Sequence, residues 1–293
     1  MRGKILLAGI VLSLSGLSMQ AQVQSSNPSF PNDVYCSGLV STASVSTQTF
    51  VITGEESNAR LTYTLGDTIY INKGSDEGAK VGDEFSLIRA EEDPSPIEWT
   101  KWQDAIFRKM GTLWVDLGRA KVTQVLPKSS IAVIDHMCDT VQRGDIAVPF
   151  TEEPTPALKP TAELQRYAPP DGKSLAMVIV GKDFRNELGN NDIMYVNLGN
   201  AQSVHVGQYF RIFRYTGTQH ETAYQTPRYA FDQQFGNGPG YGFGSVPSKY
   251  DWTNTPREIL GEGIVLRTGE NSSTVLITFA THEIYSGDYV ELE

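Results

Sequence analysis

The chain has 293 residues and a net charge of −10, from 24 lysines and arginines against 34 aspartates and glutamates. With no basic run in an acidic chain, the clustered cations that give affinity for a phosphate backbone are missing, so nucleic acid is excluded as the expected partner. The length suggests two domains, and no DxDxDG-like loop marks the acids as a calcium site.

In chain order, Met1-Arg2-Gly3-Lys4 is followed by an apolar run from Ile5 to Leu14 and by small residues up to Ala21. This is the pattern of a secretory signal peptide over residues 1–21, cut before Gln22. The run is too short to cross a hydrocarbon layer of about 30 Å at about 1.5 Å per helical residue, and no later run is longer. The expectation is an exported protein that is not integral to a membrane. Removing Arg2 and Lys4 takes the charge from −10 to −12. Residues 22–33 are polar and proline-bearing, which predicts a mobile N-terminal segment. The two cysteines, Cys36 and Cys138, are expected to pair as a disulfide in an oxidising compartment and to staple the N-terminal segment onto the first half of the chain.

Most of the remaining chain is written twice. Asp67-Thr-Ile-Tyr-Ile-Asn-Lys-Gly74 and Val81-Gly-Asp-Glu-Phe-Ser-Leu-Ile-Arg89 return as Asp192-Ile-Met-Tyr-Val-Asn-Leu-Gly199 and Val206-Gly-Gln-Tyr-Phe-Arg-Ile-Phe-Arg214, at a constant offset of 125. A second block, from Leu117-Gly118 to Gly144-Asp145, returns at an offset of 143 as Leu260-Gly261 to Gly287-Asp288. Two gap-free blocks separated by one unequal insertion define a tandem module. Within each copy, β-branched and aromatic runs alternate with glycine turns at intervals of about ten residues, which predicts short antiparallel strands closing into a small barrel. The opening strands are expected at Thr49–Thr53 and Leu175–Val180. The fold class read from this is all-β: two tandem SH3-like barrels, residues 34–150 and 174–293, with inserted loops and one short helix. The intervening residues 151–173 carry several prolines, which cannot join a ladder, and read as a semi-rigid linker.

Each copy carries an insertion after the arginine that ends the second repeated strand. In the first, residues 90–112, the spacing of Trp99, Trp102, Ile106 and Met110 predicts one face of a short helix. In the second, residues 215–257, nine aromatics in 43 residues are interleaved with Gly236, Gly238, Gly240, Gly242 and Gly244. That much glycine predicts an irregular loop.

Residues that could carry chemistry form no recognisable set. His136, His205, His220 and His282 lack metal-ligand spacing, and no G-x-S-x-G elbow is present. The glycine run follows no strand, contains Pro239 and opens no helix, so it does not read as a phosphate cradle. The repeated acids, Asp67 with Asp192 and Asp145 with Asp288, stand at turns and strand starts where carboxylates satisfy backbone groups. Arg143-Gly144-Asp145 has Ser286-Gly287-Asp288 as its counterpart, so Gly-Asp is the shared turn and Arg143 a variable addition. The expectation is a non-catalytic protein without a cofactor. Exposed aromatics are the remaining candidates for binding a partner: Trp99 and Trp102 in the first insertion, and Tyr224, Tyr229, Phe231, Phe235, Tyr241, Phe243, Tyr250 and Trp252 in the second.

The run Tyr70 to Gly74, Gly78, Val81-Gly82-Asp83-Glu-Phe85, Arg89 and Arg143-Gly144-Asp145 resembles the small β module at the C-terminus of flagellar assembly protein T, and similar modules beside LysM domains in bacterial envelope proteins. The second copy matches at Asn197, Gly199, Val206-Gly207, Phe210, Arg214 and Gly287-Asp288, and departs at Gln208, where the module has Asp, and at Ser203, where it has Gly. The resemblance implies an exported scaffold or assembly module that binds an envelope protein in the periplasm or on the outer surface of a Gram-negative-type cell. Peptidoglycan or another glycan is the alternative ligand, and a carboxylate-dependent hydrolase the second alternative.

Overall fold

The computed structural model describes residues 34–94, 98–100, 102–160, 164–215 and 256–293. The fold is all-β. The first half holds β1 (Leu39–Ser41), β2 (Val51–Gly54), β3 (Thr62–Tyr63), β4 (Thr68–Ile71), β5 (Glu84–Glu91), helix α1 (Gln103–Met110), β6 (Thr112–Val125), β7 (Ser130–Met137), β8 (Val141–Gln142) and β9 (Ile146–Pro149). The second half holds β10 (Leu175–Gly181), β11 (Glu187–Leu188), β12 (Ile193–Val196), β13 (Tyr209–Tyr215), β14 (Arg257–Thr268), β15 (Ser273–Ala280), β16 (Ile284–Tyr285) and β17 (Tyr289–Leu292).

The second half closes into an antiparallel barrel of order β10-β12-β15-β14-β13-β17, and the first repeats that order as β2-β4-β7-β6-β5-β9. Its closing seam is a bridge between Phe50 and Ile146, flanked by Val51 N–H donating to the Asp145 carbonyl at 2.8 Å. The same bond recurs from Val178 N–H to the Asp288 carbonyl at 2.8 Å. Alternation along the strands sends Phe85 and Leu87 into one core and Phe210 and Ile212 into the other, all at most 2% exposed. Each such side chain contributes about 1.5 to 3 kcal/mol of burial.

The two copies bend at the same place. A β-carbon at Gly118 would lie 2.2 Å from the His136 carbonyl oxygen, and one at Gly261 would lie 2.2 Å from the Phe279 carbonyl oxygen. The neighbouring backbone therefore comes closer than any side chain permits, as glycine allows at a barrel corner. Gly261→Ala is expected to cost about 1 to 3 kcal/mol through forced backbone movement, read from the urea midpoint at unchanged m-value.

Departures from the repeat keep the local bond. Asp83 accepts the Lys80 N–H at 2.9 Å, and Gln208, through its amide oxygen, accepts the His205 N–H at 2.7 Å. Gly78 and Ser203 both occupy the left-handed region, at φ 81° and 64°.

Helix α1 begins at Gln103, so Trp99 and Trp102 precede it, and of the four expected residues Ile106 and Met110 alone belong to the helix. This corrects the expected helical face. Trp102, at φ 71°, is the N-cap, and its left-handed conformation ends the three- and four-residue spacing before the first turn. The helix packs away from its own barrel: Gln103 Nε2 donates to the Ile179 carbonyl at 2.6 Å, and the Phe107 ring meets Phe184 edge-on at 6.2 Å.

Between the barrels runs the N-terminal segment. Cys36 is disulfide-bonded to Cys138 across 102 positions. Beyond the bridge, β1 pairs with β6 on one side and offers carbonyls to the second barrel on the other. Tyr195 Oη donates to Ser37 O at 2.8 Å, Thr274 Oγ1 donates to Gly38 O at 2.9 Å, and Ser272 Oγ donates to Val40 O. Burial pushes the Tyr195 phenol well above its ordinary value, and nearby Asp116 adds to that shift. The hydroxyl is a neutral donor at every physiological pH. Tyr195→Phe leaves the Ser37 carbonyl without this donor in a buried site, and a loss of about 1 to 3 kcal/mol is expected. Faster amide exchange confined to Ser37–Val40 and the facing strands would check that the loss arises between the barrels.

The proline-bearing segment lies along the second barrel. Lys159 Nζ pairs with Glu262 at 2.9 Å and with Glu293 at 2.5 Å, and Arg257 holds the Ala168 and Pro169 carbonyls at 2.9 and 2.6 Å.

Candidate functional site

Residues that the two copies do not share gather where the N-terminal segment, the first barrel and the linker meet the second barrel. Alternation on β5 and β6 sends Ser86, Trp114 and Asp116 outward while Phe85, Leu87, Val115 and Leu117 fill the core. Together with Tyr35, Phe150, Glu153 and Arg267, these outward residues line a cleft of about 490 Å³. The volume is that of a small-ligand or peptide-side-chain pocket.

Three aromatic rings lie on its apolar surface, beside Leu39, Ile88 and Val148. Tyr35 and Phe150 pack at 5.6 Å with a 48° tilt, Arg119 lies over the Phe150 ring at 4.8 Å, and Trp114 forms the wall toward Ser41–Val45. Its polar floor is one linked group. Asp116 accepts the Gly38 N–H at 2.8 Å and both its oxygens lie within 3.2 Å of Arg267 Nη1, while Arg267 Nη2 reaches Glu153 at 2.8 Å. Burial pushes the Asp116 carboxyl above its ordinary range, with Arg267 pulling the other way. The group ties the first barrel, the linker and the second barrel together, with Arg267 bonded to both carboxylates.

Across the Ser41–Val45 segment and Trp114 lies a second groove of about 1040 Å³, with Glu91, Glu92, Asp93 and Asp104 on its wall and Arg108 among them. Burial raises the Glu91 carboxyl, with Arg89 opposing and Asp139 and Asp183 adding to the shift.

The two barrels treat this face differently. At the two repeat offsets, Glu84, Ser86, Arg119 and Phe150 correspond to Tyr209, Arg211, Glu262 and Glu293. On the second barrel that face is covered by the linker: Lys159 N–H donates to Tyr209 Oη at 2.8 Å, and its ammonium lies 4.1 Å from the Tyr209 ring centroid beside Glu262 and Glu293. On the first barrel Arg119 comes from the sheet itself, reaching Glu84 at 3.7 Å and Asp135 at 3.1 Å, and the cleft beside it is open.

Of the residues singled out from sequence, Cys36 and Cys138 are bonded and Cys36 stands beside the cleft residue His136. Trp102 is exposed at 62% and Trp99 is half-buried, both outside the cleft. Tyr224, Tyr229, Phe231, Phe235, Tyr241, Phe243, Tyr250 and Trp252 lie outside the described residues. Arg143-Gly144-Asp145 is not an exposed tripeptide, because the Asp145 carboxylate is buried against Arg89. Trp114, Asp116, Glu153 and Arg267 have no motif. Their signal is contrast between copies: Trp114 and Asp116 stand where the second copy has Arg257 and Ile259.

The arrangement is a cleft with aromatic rings beside paired charges. Among the described residues, no helix is long and apolar enough to cross a membrane, and the disulfide fits an oxidising compartment. No protein-family model matches the chain, and no curated protein matches it significantly in sequence.

Proposed function

We propose that the chain is an exported, non-catalytic binding module of a Gram-negative-type cell envelope that receives an extended segment of a protein partner in the cleft between its barrels. The observation that carries this reading is the contrast between the two equivalent faces. On the second barrel the face is covered by an extended polypeptide, the linker around Lys159. On the first barrel the same face is left as an open cleft with three aromatic rings. Aromatic anchors at the centre of a polar rim are the usual source of binding energy at protein interfaces. An assembly role is also what the resemblance to the flagellar and LysM-associated modules implies.

The test places a photo-crosslinking residue at Val45, on the cleft rim, and exposes the protein to its native envelope. Capture of one envelope protein that is lost in Trp114→Ala/Phe150→Ala, but kept when Tyr224–Tyr250 is deleted, supports the cleft. Capture that survives the cleft substitutions and disappears with the deletion moves the site to the glycine-aromatic insertion and overturns this placement. The rings Tyr35, Trp114 and Phe150 beside Asp116 and Glu153 also suit a sugar, so a glycan is the second reading. Cosedimentation with purified sacculi that is abolished by Trp114→Ala would replace the protein partner with peptidoglycan.

A further inference from the structure

We propose that Cys36, His136 and Cys138 form a zinc site whenever their disulfide is reduced. The three donor atoms lie within 4.8 Å of one another. His136 lies on β7 and Cys138 is the first residue past its end, and the N-terminal segment brings Cys36 against both. The separation of Cys36 Sγ from His136 Nε2 is 3.6 Å. A tetrahedral zinc with Zn–S of about 2.3 Å and Zn–N of about 2.0 to 2.1 Å imposes nearly that spacing on two of its ligands, about 3.6 Å. Two of the three donors already stand at the distance a shared ion requires, and only Cys138 Sγ has to swing aside once the sulfur–sulfur bond opens. Two thiolates and one imidazole are a ligand set that selects zinc among the divalent ions available to a protein. A water from the cleft, which His136 lines, completes the tetrahedron.

The fold does not need this cluster. At the offset of 143 the second barrel has Phe279 and Thr281 in place of His136 and Cys138, and it closes in the same order. The reaction balances simply. A dithiol, of the thioredoxin-like class when a protein supplies it, gives two electrons and two protons to the disulfide and becomes a disulfide itself. Zinc then replaces the two thiol protons, which pass to water, and its own oxidation state does not change. The staple of the N-terminal segment is thereby exchanged for a metal clip at the same place, and the segment stays attached under reducing conditions.

The full-length exported protein would be reduced with dithiothreitol, desalted under argon and titrated with Zn²⁺ against a chromophoric chelator. The expected result is one zinc per reduced chain and none per oxidised chain, with thiolate-to-metal charge-transfer bands when Co²⁺ is used instead. Loss of a directly bound imidazole exceeds the 10- to 100-fold effect typical of outer-shell partners, so His136→Ala should weaken binding by more than about 100-fold. Because that variant could unfold, circular dichroism is recorded beside it, and His136→Cys should restore tight binding. The proposal is overturned if reduced protein takes up no zinc, if His136→Ala binds as tightly as the parent, or if the chain in guanidinium binds zinc as tightly as the folded chain.

Discussion

Asp288→Ala is expected to destabilise the second barrel by about 3 to 5 kcal/mol, the cost of leaving one partner of a buried ion pair alone. The carboxylate is 1% exposed and accepts from Arg214 Nε at 2.7 Å, from Arg214 Nη2 at 2.6 Å and from the Tyr285 N–H at 2.8 Å. Arg214 also donates to the Glu283 carbonyl at 3.0 Å and lies over the Tyr285 ring at 5.0 Å, so it cannot turn out to water without giving up both. Removing the carboxylate strands a guanidinium and a backbone donor together. Asp145→Ala should fall toward the lower end of that range: the first copy repeats the bidentate pair at 2.8 Å, but Arg89 is 25% exposed where Arg214 is 19%. Replacing both members, as Arg214→Met/Asp288→Leu, should cost far less than Asp288→Ala alone, since it removes the stranded charge with its partner. Urea denaturation at constant m-value checks the series, and a loss below about 1 kcal/mol for Asp288→Ala would place the pair with ordinary surface pairs.

The same carboxyl carries a pH signature with a definite sign. Burial pushes Asp288 above its ordinary value of 3.8, against the pull of Arg214. The folded chain therefore keeps this proton to a higher pH than the unfolded chain does. Through the window upward from 3.8 the folded state binds more protons, so this group's contribution makes stability fall as pH rises. Asp288→Asn should remove that part of the slope.

Legibility in the sequence followed repetition. Phe85 and Phe210, Gly118 and Gly261, and the Arg–Asp pairs at the closing turns occur twice because two barrels need them, and the offsets of 125 and 143 made them visible. Strand alternation and glycine turns are local signals, which is why the all-β barrels could be read without coordinates. The disulfide was readable from cysteine number and the signal-peptide pattern alone. Contacts between distant segments were not readable. Trp99 and Trp102 have helical spacing to Ile106, yet the left-handed N-cap at Trp102 starts the helix after them. Gln103 leaves its own barrel to reach Ile179, 76 positions away, and nothing local announces that. The cleft is the extreme case. Asp116 and Arg267 meet across 151 positions, and each alone is an ordinary charged residue on a strand. Asking which outward positions differ between the copies would have singled out Trp114, Asp116 and His136, because a face used for folding should be repeated and a face used for binding need not be.

Cys36→Ser/Cys138→Ser is expected to be the most damaging change outside the cores. Opening a covalent loop with 102 positions between its ends frees the unfolded chain by about 4 to 5 kcal/mol in the chain-entropy model. Loss of the bridge also acts on the native state, because of its neighbours. The bridge anchors the segment whose carbonyls at Ser37, Gly38 and Val40 receive Tyr195, Thr274 and Ser272 from the second barrel. That segment pairs with β6 over only three residues, Leu39 to Ser41. Without the anchor that strand is short, and the barrels are joined by the remaining packing across their interface, where Ile179, Tyr195 and Leu276 of the second barrel share a buried cluster with Leu113 and Val115 of the first. Two outcomes should appear together in the double variant: a large drop in the denaturant midpoint, and separation of one cooperative transition into two as the barrels uncouple. Hydrogen exchange should show Gly38–Val40 losing protection before the cores of either barrel, in the manner of a local opening unit. A single transition displaced by less than about 1 kcal/mol would show that packing across the barrel interface, with Arg267 between Asp116 and Glu153, holds the halves together without the staple. Asp288→Ala offers the contrasting control, since its effect should stay within one barrel and leave the other's transition where it was.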